Sequence, residues 1–449
     1  MRFVQDVINQ HKNSELYEIA VIGDQYDRQQ NTTITEYERT ITTIRGEQIP
    51  DRWSPNHKMA SNFFYRFITQ LNQFLLGNGV TWENDDTAKK LGKDFDTRLQ
   101  ELGRAALVGG IAFGYFNRDH MEVFKAGGNY DEAVFAPLVD VENGALKAGV
   151  RFWQIAKDKP TRATLYEIDG YTEYLFEPGK NGEIIKPKTP YVVFSRTSEV
   201  NGTEIYNGKN YDGFPIIPLW GNPHKQSEIV GIRNSIDCYD LIKNGFANDL
   251  DTAQIYWIVK NAGGMDDVDL AKFMDKLVTL KMATADVDQD IQPVTVNIPY
   301  EARERLLDRI ERDLYKDFGA LNIDEIKGGA VTATQIEAAY EPLNTKADQY
   351  EYCILEFLNQ LLKIAGIEDE NPTFTRSKLI NVNESVQTVL QAAAQIDDDE
   401  YTTRKVLTIL GDGDKADEIL KRRAANEMNR ISIPIVDDGE DNEPDEPDV

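Results

Sequence analysis

Apolar residues recur three and four positions apart in several stretches of this chain, which is the spacing of a helix with one buried face. The spacing is clear over residues 62–76, where Gly77 follows as a helix stop. A second helix is predicted over about residues 86–107. Residues 226–253 predict another, whose continuous apolar stripe consists of Ile229, Ile232, Ile236, Tyr239, Ile242, Phe246 and Leu250.

The most regular spacing predicts one long helix over residues 334–366, and Pro342 inside it should bend that helix. Two glycines, Gly328 and Gly329, precede the helix. Glycines there often mark a phosphate-binding loop, because free N–H groups and the helix dipole attract anions. The stretch GGAVTATQ lacks the GxxxxGK[ST] arrangement and does not follow a buried strand, so we predict a mobile surface loop instead.

A strongly charged helix is predicted over residues 299–318, with Pro299 at its start. Its apolar seam is narrow and consists of Leu306, Ile310 and Leu314. A helix with charges on most sides is usually bathed in solvent. The alternative hypothesis is that it packs against further copies of the chain, because so thin a seam buries too little to hold an extended helix alone.

Between about residues 110 and 220 the pattern changes to short β-rich runs separated by turns, which predicts an antiparallel sheet. Residues 254–298 predict a small mixed unit between two helices that must run out and back. The predicted fold class is therefore α+β, and a chain of 449 residues is long enough for two to four structural regions.

The composition adds that the chain is acidic, with a formal net charge of −27 from 76 acidic and 49 basic residues. Tight nucleic-acid binding needs Lys and Arg to replace phosphate counterions, so a protein that grips nucleic acid over its whole surface is excluded. The C-terminal residues 431–449 contain neither Lys nor Arg after Ile431 and are predicted to be disordered. The N-terminus lacks a signal-peptide pattern and no apolar run is long enough to span a membrane, so we expect a soluble protein made inside the cell.

Candidate chemistry is sparse. Two cysteines, Cys238 and Cys353, lie in predicted helices, which favours buried thiols in a reducing compartment over a disulfide. The stretch DVDQD at 286–290 resembles a calcium loop but has Ile291 where a glycine is needed. The four histidines are scattered, and no GxSxG motif occurs. We therefore predict no catalytic, metal or cofactor-binding residues, and no enzyme.

The order of these elements resembles the portal proteins of tailed bacteriophages, the head–tail connectors. NFFYRFITQLNQFLLGNGVTW resembles the N-terminal helix of that family, and FPIIPLWGNPHKQSEIVGIRNSIDCYDLIKNGFANDLDTAQIYWIVKNAGG resembles its passage from strand to stem helix and clip. GGAVTATQIEAAYEPLNTKADQYE resembles its tunnel loop and kinked helix. The resemblance covers about residues 1–430, and the nearest subgroup is that of long-tailed phages of Gram-positive hosts.

The resemblance implies a ring, usually of twelve subunits, at one capsid vertex around a channel for double-stranded DNA. In this chain it implies a mixed wing domain, a two-helix stem, an α+β clip and a helical crown. The implied segments are 1–225 as wing, 226–253 and 299–318 as stem helices, 254–298 as clip, 319–333 as tunnel loop, 334–366 as the kinked wing helix, 367–430 as crown and 431–449 as a disordered acidic tail.

The resemblance also implies roles for particular residues. Those facing DNA in the tunnel loop would be Asn322, Asp324, Lys327, Gly328 and Gly329. Those at the stem, between subunits or along the channel, would be Lys243, Arg303, Arg305, Arg309, Arg312 and Lys316. Contacts at the clip would be made by Tyr256, Trp257 and Lys260.

The implied partners are the ring itself, DNA passing without sequence preference, the terminase large subunit as packaging motor, a head-completion adaptor, and the major capsid and scaffolding proteins. No membrane partner is expected, and the implied location is the virion. Three alternatives stay open. The chain could serve a domesticated prophage or gene-transfer particle, it could be a monomeric hydrolase with an unrecognised site, or it could be a DNA-binding scaffold.

Overall fold

The computed structural model describes residues 1–42, 46–52, 54–128, 132–140, 142–178, 180, 182–198, 204–252, 256–260, 268, 272, 290–294, 299–323, 333–377, 389–391, 393, 399–410 and 415–431. The chain divides into two compact units. One consists of Met1–Gly329 and Ala338–Ser377, and the other of Ala330–Glu337 and Lys378–Val449. Helices and a large sheet occur together, which confirms the predicted mixed α+β class.

The N-terminal region is helical before it becomes extended. Its elements are α1 (Arg2–Lys12), α2 (Glu15–Asp27), the single turn α3 (Thr32–Thr35), and a short hairpin of β1 (Thr40–Thr42) and β2 (Gln48–Pro50). The Ser14 hydroxyl accepts a hydrogen bond from the Tyr17 N–H at 3.2 Å and so caps α2. Val4, Val7 and Ile8 of α1 pack into an apolar core with residues of the sheet.

The first predicted helix is confirmed as α4 (Phe63–Leu76), but the second is two helices, α5 (Asp85–Leu91) and α6 (Phe95–Gly109). A two-residue strand, β3 (Val80–Thr81), lies before them. Gly92 separates the two helices with a φ of 97°, which L side chains rarely adopt. A Cβ there would lie 2.5 Å from the Asp119 carbonyl oxygen, so a contact 27 positions away along the sequence sets the break.

The predicted β region forms one eight-stranded sheet and a separate hairpin. The sheet has the strand order β10-β9-β8-β7-β6-β5-β4-β13, and every neighbouring pair is antiparallel except β5 and β6. The hairpin pairs β11 with β12. The strands are β4 (Ile111–Asn117), β5 (His120–Lys125), β6 (Val134–Val139), β7 (Leu146–Gln154), β8 (Thr161–Glu167), β9 (Gly170–Phe176), β10 (Glu183–Thr189), β11 (Val192–Ser198), β12 (Glu204–Lys209) and β13 (Ile216–Trp220).

Two long helices then pack against each other, α7 (Arg233–Thr252) and α8 (Tyr300–Phe318). Between them in sequence, β14 (Tyr256–Lys260) pairs antiparallel with β15 (Asp290–Val294). The described part of the predicted mixed unit over residues 254–298 therefore contains one pair of strands, and the rest of that prediction stays untested. Most of residues 261–289 lie outside the described residues.

The long helix predicted from the most regular spacing is confirmed as α9 (Ala333–Ala365), and it continues through Pro342. Its buried face carries Tyr340, Leu343, Ala347, Tyr350, Ile354, Phe357 and Leu361. Near the middle of this face the Tyr350 hydroxyl donates to the Asn72 Oδ1 of α4 at 2.9 Å. After α9, β16 (Thr373–Phe374) pairs with β3. The second unit contains α10 (Asp399–Leu410) and α11 (Ala416–Ile431).

Candidate functional site

The α7–α8 hairpin carries most of the cations that the sequence singled out, and one of them joins its two helices. Arg303 of α8 forms an ion pair with Asp249 of α7 at 2.6 Å. Its guanidinium also lies 5.7 Å from the centre of the Phe246 ring. The charged helix is thus attached to its partner near its own N-terminal end by a mixed polar and aromatic contact.

Of the other stem cations, the three arginines and Lys316 face solvent, whereas Lys243 is half-buried. Arg305 and Arg309 are exposed and pair only loosely with acids of their own helix, Glu301 at 4.0 Å and Asp313 at 3.8 Å. The remaining members of this group lie on the same hairpin: the Arg312 Nε donates to the Asp308 carbonyl at 3.2 Å, the Lys243 Nζ lies 6.0 Å from the Tyr239 ring, and Lys316 is exposed. Exposed pairs of this kind contribute little to stability, so these charges are available to a neighbouring surface.

Apolar side chains of the hairpin are also exposed. Leu250 of α7 is 54% exposed and Leu306 of α8 is 44% exposed. Beside Leu306, an open groove of about 580 Å³ runs between the hairpin and the N-terminal region, with Tyr37 and Leu241 in its wall. The apolar stripe predicted along α7 is buried at its start and fades toward its end, so the hairpin does not cover its own sides.

The buried face of α7 is instead polar where the apolar stripe fades. We call residues 57–61 the strap, because this segment lies along that face. The Asn244 amide binds both backbone groups of Met59, accepting from its N–H at 2.7 Å and donating to its carbonyl at 3.0 Å. The Asn248 Oδ1 accepts from the His57 N–H at 2.7 Å. Asn244 and Asn248 therefore bind the backbone of the strap, and one side-chain contact adds to them, in which the His57 Nε2 lies 2.6 Å from the Asp251 Oδ2.

The C-terminal end of the strap, at Ser61, is held by a buried carboxyl group. The Asp240 Oδ1 accepts from the Ser61 N–H at 2.9 Å, and its other oxygen accepts from the Asn31 amide. Burial raises the pKa of Asp240 above its ordinary value, although these hydrogen bonds oppose the shift. Asp240, Asn244 and Asn248 are four residues apart and so share one helix face. This column was not predicted from the sequence, where its signal is three polar residues at helical spacing.

The chain after α8 is anchored where the predicted tunnel loop begins. Gly319 ends α8 in the left-handed conformation, with a φ of 77°. The Gln70 amide of α4 then binds both backbone groups of Leu321, accepting from its N–H at 2.9 Å and donating to its carbonyl at 3.1 Å. Asn322, the next predicted loop residue, is half-buried. The other predicted loop residues, Asp324, Lys327, Gly328 and Gly329, lie outside the described residues.

The predicted clip contacts lie on β14. Their backbone register places Tyr256 opposite Val294, Trp257 opposite Pro293 and Lys260 opposite Asp290. Their role in contacting a partner stays a prediction.

The cysteines differ in exposure. Cys353 is buried and burial raises its pKa to about 11, whereas Cys238 is exposed. The prediction of a buried thiol was therefore wrong for Cys238, which lies on the solvent side of α7. Within the described ranges, no group of three or more His, Cys, Asp or Glu side chains could hold a metal ion. Over those same ranges, none of the helices is both long enough and apolar enough to cross a membrane.

Comparison with known proteins gives a consistent result. The portal protein of Bacillus phage SPP1 is 24% identical over 423 residues, covering 86% of this chain and 79% of that protein. The portal protein of Clostridium phage phiCD119 is 28% identical over 182 residues, covering 38% of this chain and 40% of that protein.

Two solved structures are also similar. One is from the neck of a native gene transfer agent particle computed with C12 symmetry, at a TM-score of 0.41 and 12% identity, covering 77% of this chain and 89% of that one. The other is an HK97 family phage portal protein from Corynebacterium diphtheriae, at a TM-score of 0.35 and 10% identity, covering 69% of this chain and 91% of that one. The family model for phage portal proteins of the SPP1 Gp6-like type matches residues 5–428, and the chain belongs to that family.

Proposed function

We propose that this phage portal protein, a component of the phage particle, assembles into a closed ring around a channel for double-stranded DNA. The observation that carries the proposal is the α7–α8 hairpin, whose apolar residues Leu250 and Leu306 are exposed in the single chain. A closed ring of side-by-side copies would bury these flanks without leaving a free end. The family usually forms rings of twelve, and we propose that number here.

The charges of α8 suit packing between copies. Arg305 and Arg309 are exposed and lie among acids of the same helix, at 4.0 Å and 3.8 Å from Glu301 and Asp313. A helix that presents both signs of charge can meet complementary charges on a neighbour, which fixes the register of the contact more than its strength. We therefore assign Lys243, Arg312 and Lys316, with these arginines, to the sides of the stem that face a neighbour or the channel.

DNA must pass such a channel in both directions without adhering to its wall. A chain with a net charge of −27 repels phosphate overall, so counterion release gives it little hold on the duplex. Repulsion would keep the duplex away from the wall over a distance comparable to the Debye length, about 8 Å at physiological salt. In this proposal the chain is a conduit and not an enzyme, and the packaging motor supplies ATP hydrolysis.

The proposed division of labour follows the segments given by the family resemblance. Residues 254–298 form the clip, where Tyr256, Trp257 and Lys260 contact the terminase large subunit and later the head-completion adaptor. Residues 319–333 form the tunnel loop, in which Lys327 makes transient phosphate contacts. The wing and the crown face the major capsid and scaffolding proteins. A gene-transfer particle would need the same ring, so that alternative stays open.

The test is the mass of the assembled protein. We expect native mass measurement to give a multiple of 51.0 kDa near twelve, and end-on electron micrographs to give an annulus. A double variant, Leu250→Glu with Leu306→Glu, should remain monomeric, because each ring contact would bury two unpaired carboxylates. The matched control is Ile155→Glu with Ile168→Glu, which changes two exposed isoleucines outside the hairpin and should leave the ring intact.

Two results would overturn the proposal. A clean wild-type monomer with catalytic turnover would favour the hydrolase. Tight duplex binding with a steep dependence on salt would favour the DNA-binding scaffold.

A further inference from the structure

Lys346 of α9 lies at a junction where three separate parts of the chain meet. Its Nζ is 2.6 Å from the Glu228 Oε2, and these two side chains are only 20% and 10% exposed. The same Nζ is 3.6 Å from the centre of the Phe318 ring. Glu228 precedes α7 and Phe318 is the last residue of α8, so one lysine contacts both ends of the hairpin. We call these three residues the Lys346 joint.

The carboxylate side of the joint is held in place from behind. The second Glu228 oxygen, Oε1, accepts a hydrogen bond from the Asn222 amide at 2.8 Å. The Glu228 N–H donates to the carbonyl of Leu107 in α6 at 3.1 Å. Because both ends of this residue are fixed, the ion pair ties α9 to the body of the first unit.

The aromatic side of the joint is fixed in the same way. Phe318 is buried and stacks on Phe67 of α4, with ring centres 4.9 Å apart. Directly after it, a Cβ at Gly319 would lie 3.4 Å from the Pro342 carbonyl oxygen and 3.8 Å from the Lys346 Cδ. The end of α8 therefore rests against the turn of α9 that contains the proline.

That turn of α9 lacks one of the backbone hydrogen bonds of a regular helix. Proline has no N–H, so residue 342 donates no hydrogen bond to the carbonyl of Ala338. The chain also divides into its two compact units between Glu337 and Ala338. Lys346 follows Pro342 by four residues, which places it one turn farther along the same face.

We infer that Lys346 is a positioning residue. It fixes α9 to both ends of the hairpin, one turn after Pro342. The joint thereby sets where the ends of α7 and α8 lie against α9, at the turn that follows Pro342.

Amide hydrogen exchange of the full chain, followed by peptide mass spectrometry, tests the joint. Lys346→Met keeps the contact with Phe318 and removes the charge, and Glu228→Gln keeps the shape of the carboxylate. In both variants we expect exchange to become about tenfold faster in residues 335–350 and 315–321, with α9 beyond residue 354 unchanged. Lys346→Arg should restore the wild-type rate, because arginine keeps both the charge and the contact with the ring. Lys363→Met, on the exposed side of α9, is the matched control and should exchange like the wild type.

The outcomes separate the joint from the ring. Wild-type exchange in both Lys346→Met and Glu228→Gln would overturn the inference while leaving the proposed ring intact. Faster exchange over the whole chain in both variants would also overturn it, because the pair would then be a general support of the fold. If the wild type stays monomeric by native mass but the two variants change only the named segments, the joint stands and the portal ring fails.

Discussion

The two helices of the hairpin differ in how they are held. α7 is bound along its length, because Asp240, Asn244 and Asn248 hold the backbone of the strap over two turns. α8 is bound mainly at its end, where Leu314, Tyr315 and Phe318 are buried. Farther from this end its side chains are mostly exposed, apart from the pair that Arg303 forms with Asp249.

This difference suits two different tasks. Hydrogen bonds to backbone groups have strict geometry. The polar column on α7 therefore fixes the rotation of the helix about its axis, and its position along that axis, more strictly than an apolar stripe would. α8 keeps a charged and partly apolar surface free for another copy of the chain. Within one hairpin, therefore, one helix sets the position and the other supplies the proposed contact surface.

The largest effect should come from breaking the column at its centre. Asn244→Ala removes three hydrogen bonds, two of them to the backbone of Met59, so we expect the free energy of unfolding to fall by about 2–4 kcal/mol. The measurement is urea unfolding of the dissociated chain. Asn234→Ala, on the exposed side of α7, is the matched control because it gains the same helix propensity. An equal loss in both variants would mean that the strap does not hold α7.

A smaller effect concerns the pH dependence of the same column. Burial raises the pKa of Asp240, so its carboxyl group binds a proton more readily in the folded chain than in the unfolded chain. Its contribution to stability is therefore fully present below the unfolded pKa, about 3.9, and is lost as the pH rises through the higher folded pKa. Asp240→Asn should abolish this decline.

The check is the difference in unfolding free energy between Asp240→Asn and the wild type, measured by urea titration at intervals from pH 3.5 to pH 7. The difference should move in favour of the variant as the pH rises. Asp317→Asn, which changes an exposed carboxyl group of α8, is the control. A difference that moves in favour of the wild type over this range would show that the Asp240 carboxylate is stabilised by its hydrogen bonds more than burial opposes it.

The smallest effect should distinguish Arg303, which pairs with α7, from the exposed Arg305. Arg303→Met removes the pair with Asp249, and we expect a loss of about 0.5–1 kcal/mol because the pair is partly exposed to solvent. Arg305→Met should change stability by less than about 0.5 kcal/mol, because Arg305 is exposed and its ion pair is with Glu301 of its own helix. Both values come from the same urea experiment on the dissociated chain. A larger loss for Arg305→Met than for Arg303→Met would contradict the view that the exposed side chains of α8 contribute little to the stability of the single chain.

Local pattern predicted a good part of this fold. The helices α4, α8 and α9 lie within a residue or two of their predicted ranges, because their apolar residues keep one period over several turns. The break between α5 and α6 was missed, because the conformation of Gly92 depends on its approach to the carbonyl of Asp119 and not on its neighbours in sequence.

The candidate site divides in the same way. The cations of α8 were found because charge alternation is visible in a single stretch of sequence. The strap and the Lys346 joint were missed, because Asn244 and Met59 are 185 positions apart and a period says nothing about distant partners.

The sequence by itself determined where most helices lie, that one sheet region interrupts them, and that the chain carries a net negative charge. These properties arise from residues close together in the chain, where 3.6-residue and two-residue periods decide which face is apolar. Only the tertiary structure decided that α7 is held by amide and carboxyl groups and that one lysine joins the long helix to the hairpin. Polar contacts form wherever packing brings a donor to an acceptor, and that meeting is a property of the folded chain.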